Sequence, residues 1–246
     1  MVTAPPWHFS GDFVWVDYRV DPDAAAAFLP PGLTLGRDPG AAAAVFIEWQ
    51  WCSASGEELT DPVRCQFAEL CILLSCAHAG QPVARCPYAW VSHAVSLVRG
   101  WIQGMPKRFG TVHLTRAVRA GQAGPRLEAG GAFAASLTVD GRRLVEASVT
   151  LTGPADEPPL LNRLPLAHSR LFPAWDPADP PLTQLVVSRV TDVEYSPVWS
   201  GTATLRFAAD LADGPDPDLA TLAPMEVTGG YVFSYGETLL GGARLT

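Results

Sequence analysis

The segment Ser136-Leu137-Thr138-Val139-Asp140-Gly141-Arg142-Arg143-Leu144-Val145-Glu146-Ala147 sets Asp-Gly between two β-type flanks, which predicts a tight antiparallel hairpin. Strand character recurs along the chain and limits what it can become. Phe13 to Val20 is rich in β-formers, and Ala41 to Trp51 is apolar and aromatic enough for a core strand. Cys65 to Ser75 and Tyr88 to Val98 read the same way, although periodicity alone would also allow helix. Gln184 to Val193, Thr202 to Phe207 and Tyr231 to Leu239 complete the strand set. A clear helical run, Asp23 to Leu29, follows Asp21-Pro22 and is stopped by Pro30-Pro31-Gly32. Many antiparallel strands and few helices predict an α+β fold, mostly antiparallel β, built around a barrel or a pair of sheets.

Two stretches interrupt the pattern. Pro154 to Pro181 is proline-rich and weakly periodic, and Asp210 to Asp218 reads as a polar loop. Strand character resumes after the first, so it is expected to be a structured excursion within one domain spanning residues 1–246 rather than a linker. A chain of 246 residues is long enough to bury a substantial core, and 48% hydrophobic with 17% charged residues is a globular composition.

Charge narrows the partners. A formal net charge of −8 and a pI near 5.0 argue against nucleic acid or an anionic membrane. No apolar run is long enough to cross a bilayer, and Met1-Val2-Thr3-Ala4-Pro5-Pro6 lacks a basic n-region with an apolar stretch behind it. The expectation is a soluble cytoplasmic protein. Five cysteines (Cys52, Cys65, Cys71, Cys76, Cys86) sit mostly in apolar surroundings without a CxxC pair, which reads as buried free thiols. The five histidines are scattered, and no spacing supports a metal site.

Of 17 lysine and arginine residues, only Lys107 is a lysine. It stands in Gly104-Met105-Pro106-Lys107-Arg108-Phe109-Gly110. An Ala-, Gly-, Pro- and Arg-rich composition accounts for the rarity of lysine, but not for the neighbours of the one retained. Guanidinium stays charged, whereas a desolvated amine can lose its proton and attack a carbonyl. Lys107 is therefore the candidate nucleophile. Met105, Phe109 and Trp101 are candidates to desolvate it.

That heptapeptide resembles the Gly-aromatic-Pro-Lys-Lys-Leu signature of acetoacetate decarboxylase and its relatives. Tyr18-Arg19-Val20-Asp21, with Ala24 to Leu29 and Pro31-Gly32-Leu33, is similar to the N-terminal segment of that family. Phe67-Ala68-Glu69 resembles its aromatic-x-Glu. Val190 to Val193, Trp199-Ser200-Gly201 with Leu205, and Pro224-Met225-Glu226-Val227 follow in register. The resemblance implies a barrel or double-sheet fold and a lysine that forms a Schiff base with an oxo acid. It implies neither metal nor organic cofactor, and a homo-oligomer.

Other candidate site residues are read mainly from their placement and chemistry. Glu69, an acid in an apolar stretch, is expected to orient the amine or move protons, and Arg108 to bring a second cation to it. Consecutive strand residues face opposite ways, which leaves open whether Arg108 shares the pocket. Arg99, on an expected strand leading to Lys107, suits a substrate carboxylate. Gln103, Trp101, Tyr235 and Glu237 are the further substrate-binding candidates, and Glu48 ranks below Glu69.

Three departures from the decarboxylase pattern bear on the reaction. Arg108 replaces the second lysine, Trp101 stands where a glutamate is common, and Gly11 takes the approximate place of an N-terminal arginine. Loss of those polar groups weakens the case for acetoacetate, and eight tryptophans suit a larger or more apolar substrate. The expected activity is a Schiff-base lyase on a small or medium oxo acid, by decarboxylation or by aldol and dehydration chemistry. The alternatives are a non-catalytic ligand-binding protein of the same fold, a pyruvate-dependent aldolase-dehydratase or cyclase of secondary metabolism, and a Cys-His hydrolase, for which there is no local motif.

Overall fold

The computed structural model describes residues 2–213 and 216–246. Asp140 and Gly141 both have positive φ, 50° and 75°, the backbone that a two-residue type I′ hairpin demands at both central positions. The expected hairpin is therefore present. The strands are β1 (Trp7–Arg19), β2 (Thr34–Leu35), β3 (Ala41–Ser53), β4 (Gln66–His78), β5 (Gln81–Val91), β6 (Lys107–Phe109), β7 (Thr111–Leu114), β8 (Ala132–Val139), β9 (Arg142–Pro154), β10 (Leu166–Phe172), β11 (Leu182–Tyr195), β12 (Trp199–Phe207) and β13 (Glu226–Arg244). The helices are few and short: α1 (Pro22–Ala27), α2 (Pro62–Cys65), α3 (Ala94–Gln103) and α4 (Pro217–Ala220).

Seven strands close into a ring, β1-β3-β4-β5-β10-β11-β13, because β13 pairs back onto β1 from Trp7↔Leu239 to Arg19↔Glu226. The long strand β13 serves two layers. Its C-terminal part pairs with β11, whereas its N-terminal part pairs with β12, which continues into β9, β8 and β7. A barrel and a second sheet are thus both present, as the strand-rich pattern predicts.

Alternation along the ring strands divides them between two cores. Phe13 and Trp15, Val45 and Ile47, Cys71 and Leu73, and Phe233 and Leu239 face the barrel interior. Their neighbours Val14 and Val16, Ala44 and Phe46, and Leu70 and Ile72 face outward, where Phe133, Leu137, Val145 and Val149 of the second sheet cover them. A strand buried on both faces shows no alternation, which is why β3 and β4 read as continuous apolar runs.

One strand expectation needs correction. The Tyr88 to Val98 strand stops at Val91, and Ala94–Gln103 is helix, so Arg99 and Gln103 lie on α3 and not on a strand. The caps decide it. The His93 ring accepts the Val95 N–H at 3.3 Å, and Gly104 ends the helix at φ 94°, a left-handed conformation available to glycine. Within the Pro154 to Pro181 stretch, a 3-10 turn at Leu160–Arg163 and strand β10 close the ring between β5 and β11. The Asp210 to Asp218 loop carries a 3-10 turn at Leu211–Asp213 and α4; its residues 214 and 215 lie outside the described residues. All five cysteines are free and buried. No helix among the described residues is long and apolar enough to cross a membrane.

Candidate active site

Strand β6 runs parallel to β5 with Ala89 opposite Lys107 and Trp90 opposite Arg108. Ala89 belongs to the barrel interior and Trp90 to the outer core, so successive residues of β6 part company. Lys107 turns inward and is 7% exposed. The Trp101 indole fixes its backbone by donating to the Lys107 carbonyl at 2.9 Å. The aliphatic stem of the lysine crosses α3 at Gly100, where an added Cβ would lie 2.3 Å from Lys107 Cδ. Glycine is the residue that leaves this path open.

At the end of that path, Lys107 Nζ lies 2.8 Å from Glu69 Oε1 and donates to Ser96 Oγ at 3.1 Å. Glu69 is itself 4% exposed, and its Oε2 accepts the Trp49 indole N–H at 2.9 Å. Both charges are therefore paired out of water, the condition under which a buried ion pair survives. The pair borders a cavity of about 630 Å³ walled by Phe9, Phe13, Trp49, Phe67, Met105 and Leu161.

Arg99 enters the same cavity from α3 and is 1% exposed. Its guanidinium stacks 3.7 Å from the Trp51 ring centroid and also faces the Trp7, Phe9 and Phe67 rings. Neither terminal nitrogen has a hydrogen-bond partner among the described residues. Burial pushes this guanidinium down to about 10, while the charges of Glu69 and Glu58 pull it back up, so it stays charged at neutral pH. Gln103 lines the cavity near the end of the same helix.

The opposite wall comes from β13. Tyr235 donates to Glu237 Oε2 at 2.6 Å, and both side chains line the cavity, as their alternation on one strand predicts. Burial raises the Glu237 carboxyl above the usual range; the Tyr235 bond opposes this and the Glu69 charge adds to it. Tyr195 packs 5.1 Å from Tyr235 and donates to Asn162 Oδ1 at 2.8 Å. Ser96, Asn162, Tyr195 and Ser188 are site residues that sequence reasoning missed. Each comes from an element distant in sequence from Lys107 or from a helix read as strand, and none carries a local motif.

Two expected pocket residues lie elsewhere. Arg108 pairs with Asp216 and sits over the Tyr88 ring on the outer side of the barrel, because β6 alternation carries it away from the amine. Trp101 is on the exposed face of α3 and meets the site only through the Lys107 carbonyl. Of the three expected desolvating residues, Met105 alone lines the cavity; Phe109 is 56% exposed. Glu48 points away from the cavity and pairs with Arg116 at 3.3 Å.

A closed barrel with a single amine buried beside a carboxylate, in a cavity large enough for a small organic acid, defines a lysine-centred barrel protein. The acetoacetate decarboxylase (ADC) family model matches residues 1–246, and the chain belongs to that family of enzymes. Among solved structures, the enduracididine biosynthesis enzyme MppR complexed with the condensation product of pyruvate and imidazole 4-carboxaldehyde is 60% identical. Its TM-score is 0.94, over 99% of this chain and 90% of that one. MppR complexed with pyruvate matches at 59% identity and TM-score 0.94, over 100% and 92% of the two chains. An acetoacetate decarboxylase-like enzyme from Sphingomonas wittichii RW1 is 26% identical with TM-score 0.91, over 99% and 94%. None of the curated protein sequences matches.

Proposed function

We propose that the chain is a Schiff-base lyase in which Lys107 condenses with a small 2-oxo acid of the pyruvate class, and that the iminium serves aldol and dehydration chemistry in preference to release of carbon dioxide. One observation carries this reading: the sole lysine amine borders an aromatic cavity beside a buried guanidinium whose terminal nitrogens have no hydrogen-bond partner among the described residues. The similarity to MppR supports the choice of reaction, since that enzyme is complexed with pyruvate and with a pyruvate condensation product.

The proposed roles follow from placement. Arg99 takes the substrate carboxylate on its two free nitrogens, with Gln103 as a second donor on the same helix. Glu69 accepts a proton from the ammonium, and the free amine attacks the keto carbon. Loss of water from the carbinolamine leaves the iminium, which acidifies the adjacent carbon. Deprotonation there gives an enamine that attacks an aldehyde. The Tyr235–Glu237 pair, its carboxyl held protonated more readily by burial, donates to the aldehyde oxygen as it becomes a hydroxyl. Elimination of that hydroxyl as water gives the unsaturated product, and hydrolysis of the imine returns the lysine. A cavity of about 630 Å³ exceeds what pyruvate alone fills and leaves room for the acceptor. The whole chain acts as one domain in this reading.

Borohydride reduction in the presence of pyruvate, acetoacetate and longer oxo acids tests it. Mass spectrometry is expected to place a reduced adduct on Lys107, and Lys107→Arg to lose activity by about 10³-fold or more, as removal of a nucleophile does. No adduct with any carbonyl compound would sink the proposal. Carbon dioxide release from acetoacetate in place of aldehyde-dependent pyruvate consumption would keep the Schiff base and overturn the aldol assignment.

A further inference from the structure

A second cavity, of about 410 Å³, lies against the first. Gln103, Ser188 and Leu239 wall both. Beyond this shared wall the second cavity is lined by His168, Arg170, Gln184 and Arg244, and no Asp or Glu lines it. That is unusual placement for a chain of net charge −8.

The polar groups there are incompletely satisfied. Arg170 donates from Nη1 to Gln184 Oε1 at 2.8 Å, but its Nε is buried and has no partner among the described residues. His168 is 1% exposed; one ring nitrogen, Nε2, meets Ser188 Oγ at 2.9 Å, and Nδ1 has no partner. Neither Arg170 nor Arg244 has a carboxylate of the described residues within ion-pair distance. Arg85, buried nearby on β5, also makes no ion pair among the described residues and donates to the Ala167 carbonyl at 3.4 Å. An arginine kept for structure alone is normally paired, because each buried donor left unmade costs about 1–3 kcal/mol. Here Arg170 and His168, each with an unmade donor or acceptor, line the cavity instead.

We propose that this second cavity is a binding site for a small organic carboxylate, held by Arg170 and Arg244 with the imidazole N–H of His168. Arg170 supplies charge from the cavity wall. Arg244, exposed at the mouth, draws the anion in. His168 contributes a hydrogen bond and not a charge. Burial, with the Arg85 and Lys107 charges behind it, pushes its ring down to about 3, so it stays neutral. When Nε2 accepts from Ser188, the proton resides on Nδ1, the unpartnered atom. Gln103 would then touch ligands from both sides, one in each cavity. The site stands whether or not Lys107 forms a Schiff base.

Malonate is the probe, because it has no ketone to condense with an amine. Calorimetric titration of malonate into the full chain is expected to show binding that weakens about tenfold or more in Arg170→Gln, the loss of one charged hydrogen-bonding partner. Arg170→Lys is expected to recover part of it. Arg244→Gln, at an exposed position with little consequence for folding, is expected to weaken binding by a smaller factor. Arg99→Gln, in the first cavity, is expected to remove at most a separate malonate event there and to leave the Arg170-dependent event unchanged. Circular dichroism checks that the Arg170 variants fold. Absence of malonate binding, or binding insensitive to both Arg170→Gln and Arg244→Gln, or binding abolished by Arg99→Gln alone, would overturn the proposal.

Discussion

Glu69 and Leu70 are adjacent on β4 and face two different interiors. Glu69 looks into the barrel, where it pairs with Lys107 and accepts from Trp49. Leu70, 0% exposed, looks into the core between the barrel and the second sheet. The outer core packs aliphatic and aromatic side chains. The inner one adds a buried amine, a carboxylate and a guanidinium to its aromatic wall, each stabilised by a partner or a stacked ring. One set of strands thus serves stability on one face and chemistry on the other. The cost of burying charge is confined to the face where a ligand can repay it.

This division is open to attack from the stable side first. Leu70→Ala is expected to lower unfolding free energy by about 2–5 kcal/mol, through lost transfer energy and a residual cavity. Urea denaturation measures the loss. Adduct formation at Lys107 in the folded variant is expected to stay at the wild-type level. A large fall in adduct rate at unchanged stability would show that the two faces are not separate.

From the chemical side, Gly100→Ala sharpens the contrast. The new Cβ would meet the Lys107 stem at 2.3 Å, so the amine must move while Arg99 and Glu69 keep their own supports. A displacement near 1 Å at a reacting atom is expected to slow adduct formation by about 10²-fold. Overpacking is expected to cost about 1–3 kcal/mol of stability. Stopped reduction with borohydride gives the first number and urea midpoints the second. An adduct rate equal to wild type would mean that the lysine reaches its site by another path.

The face-by-face division could not be read from the sequence of β4, and the reason is physical. Leu70, Ile72 and Leu74 are buried on one side and Phe67, Cys71 and Leu73 on the other, so polarity does not alternate and only Glu69 marks the chemical face. Strand existence was legible from residue type, and Asp140-Gly141 named its turn outright. Helix α3 was misread because β-branched and aromatic residues (Val95, Val98, Trp101, Ile102) recur through it; the decisive signals were the caps at His93 and Gly104. Lys107 was legible through its neighbours and its singularity, and Glu69 through the oddity of an acid in an apolar run. Ser96, Asn162 and Tyr195 were not, since the ring brings them together only once β10 has closed it. Arg108 was legible as a cation but not as an outward one, because its direction depends on which face of β5 the short strand β6 matches.

A smaller effect comes from Asp17, on the inward face of β1 beyond the cavity, whose Oδ1 accepts the Trp15 indole N–H at 2.6 Å. Burial raises its carboxyl from 3.8 to about 6, with the Trp15 bond opposing. The folded state therefore holds this proton more tightly than the unfolded chain. Its contribution to stability is fully present below about pH 4 and is lost as pH rises through about 6. Asp17→Asn keeps an acceptor for Trp15 and removes the titration. The stability difference, variant minus wild type, is expected to grow by about 1–3 kcal/mol between pH 4 and pH 6 and to be flat above. Urea midpoints across that range measure it. A difference that does not change with pH would mean that the carboxyl is solvated, and that this end of the barrel interior is wet.

The smallest effect is expected where family resemblance predicted one of the largest. Arg108 follows the nucleophile directly, yet its guanidinium lies on the outer side with Asp216, at an exposed position. Surface pairs of this kind contribute about 0–1 kcal/mol. Arg108→Gln is therefore expected to shift the urea midpoint slightly and to change the adduct rate at Lys107 by no more than about fivefold, the most such a pair is worth. The pH profile of adduct formation separates this outcome from its rival. A cation within the pocket would tune the amine, and its removal would move the profile; a cation on the far side of β6 leaves the profile where it was. If Arg108→Gln moves the profile, the inward and outward assignment of β6 fails at its second residue. Arg108 would then be a second cation of the pocket, beside Arg99.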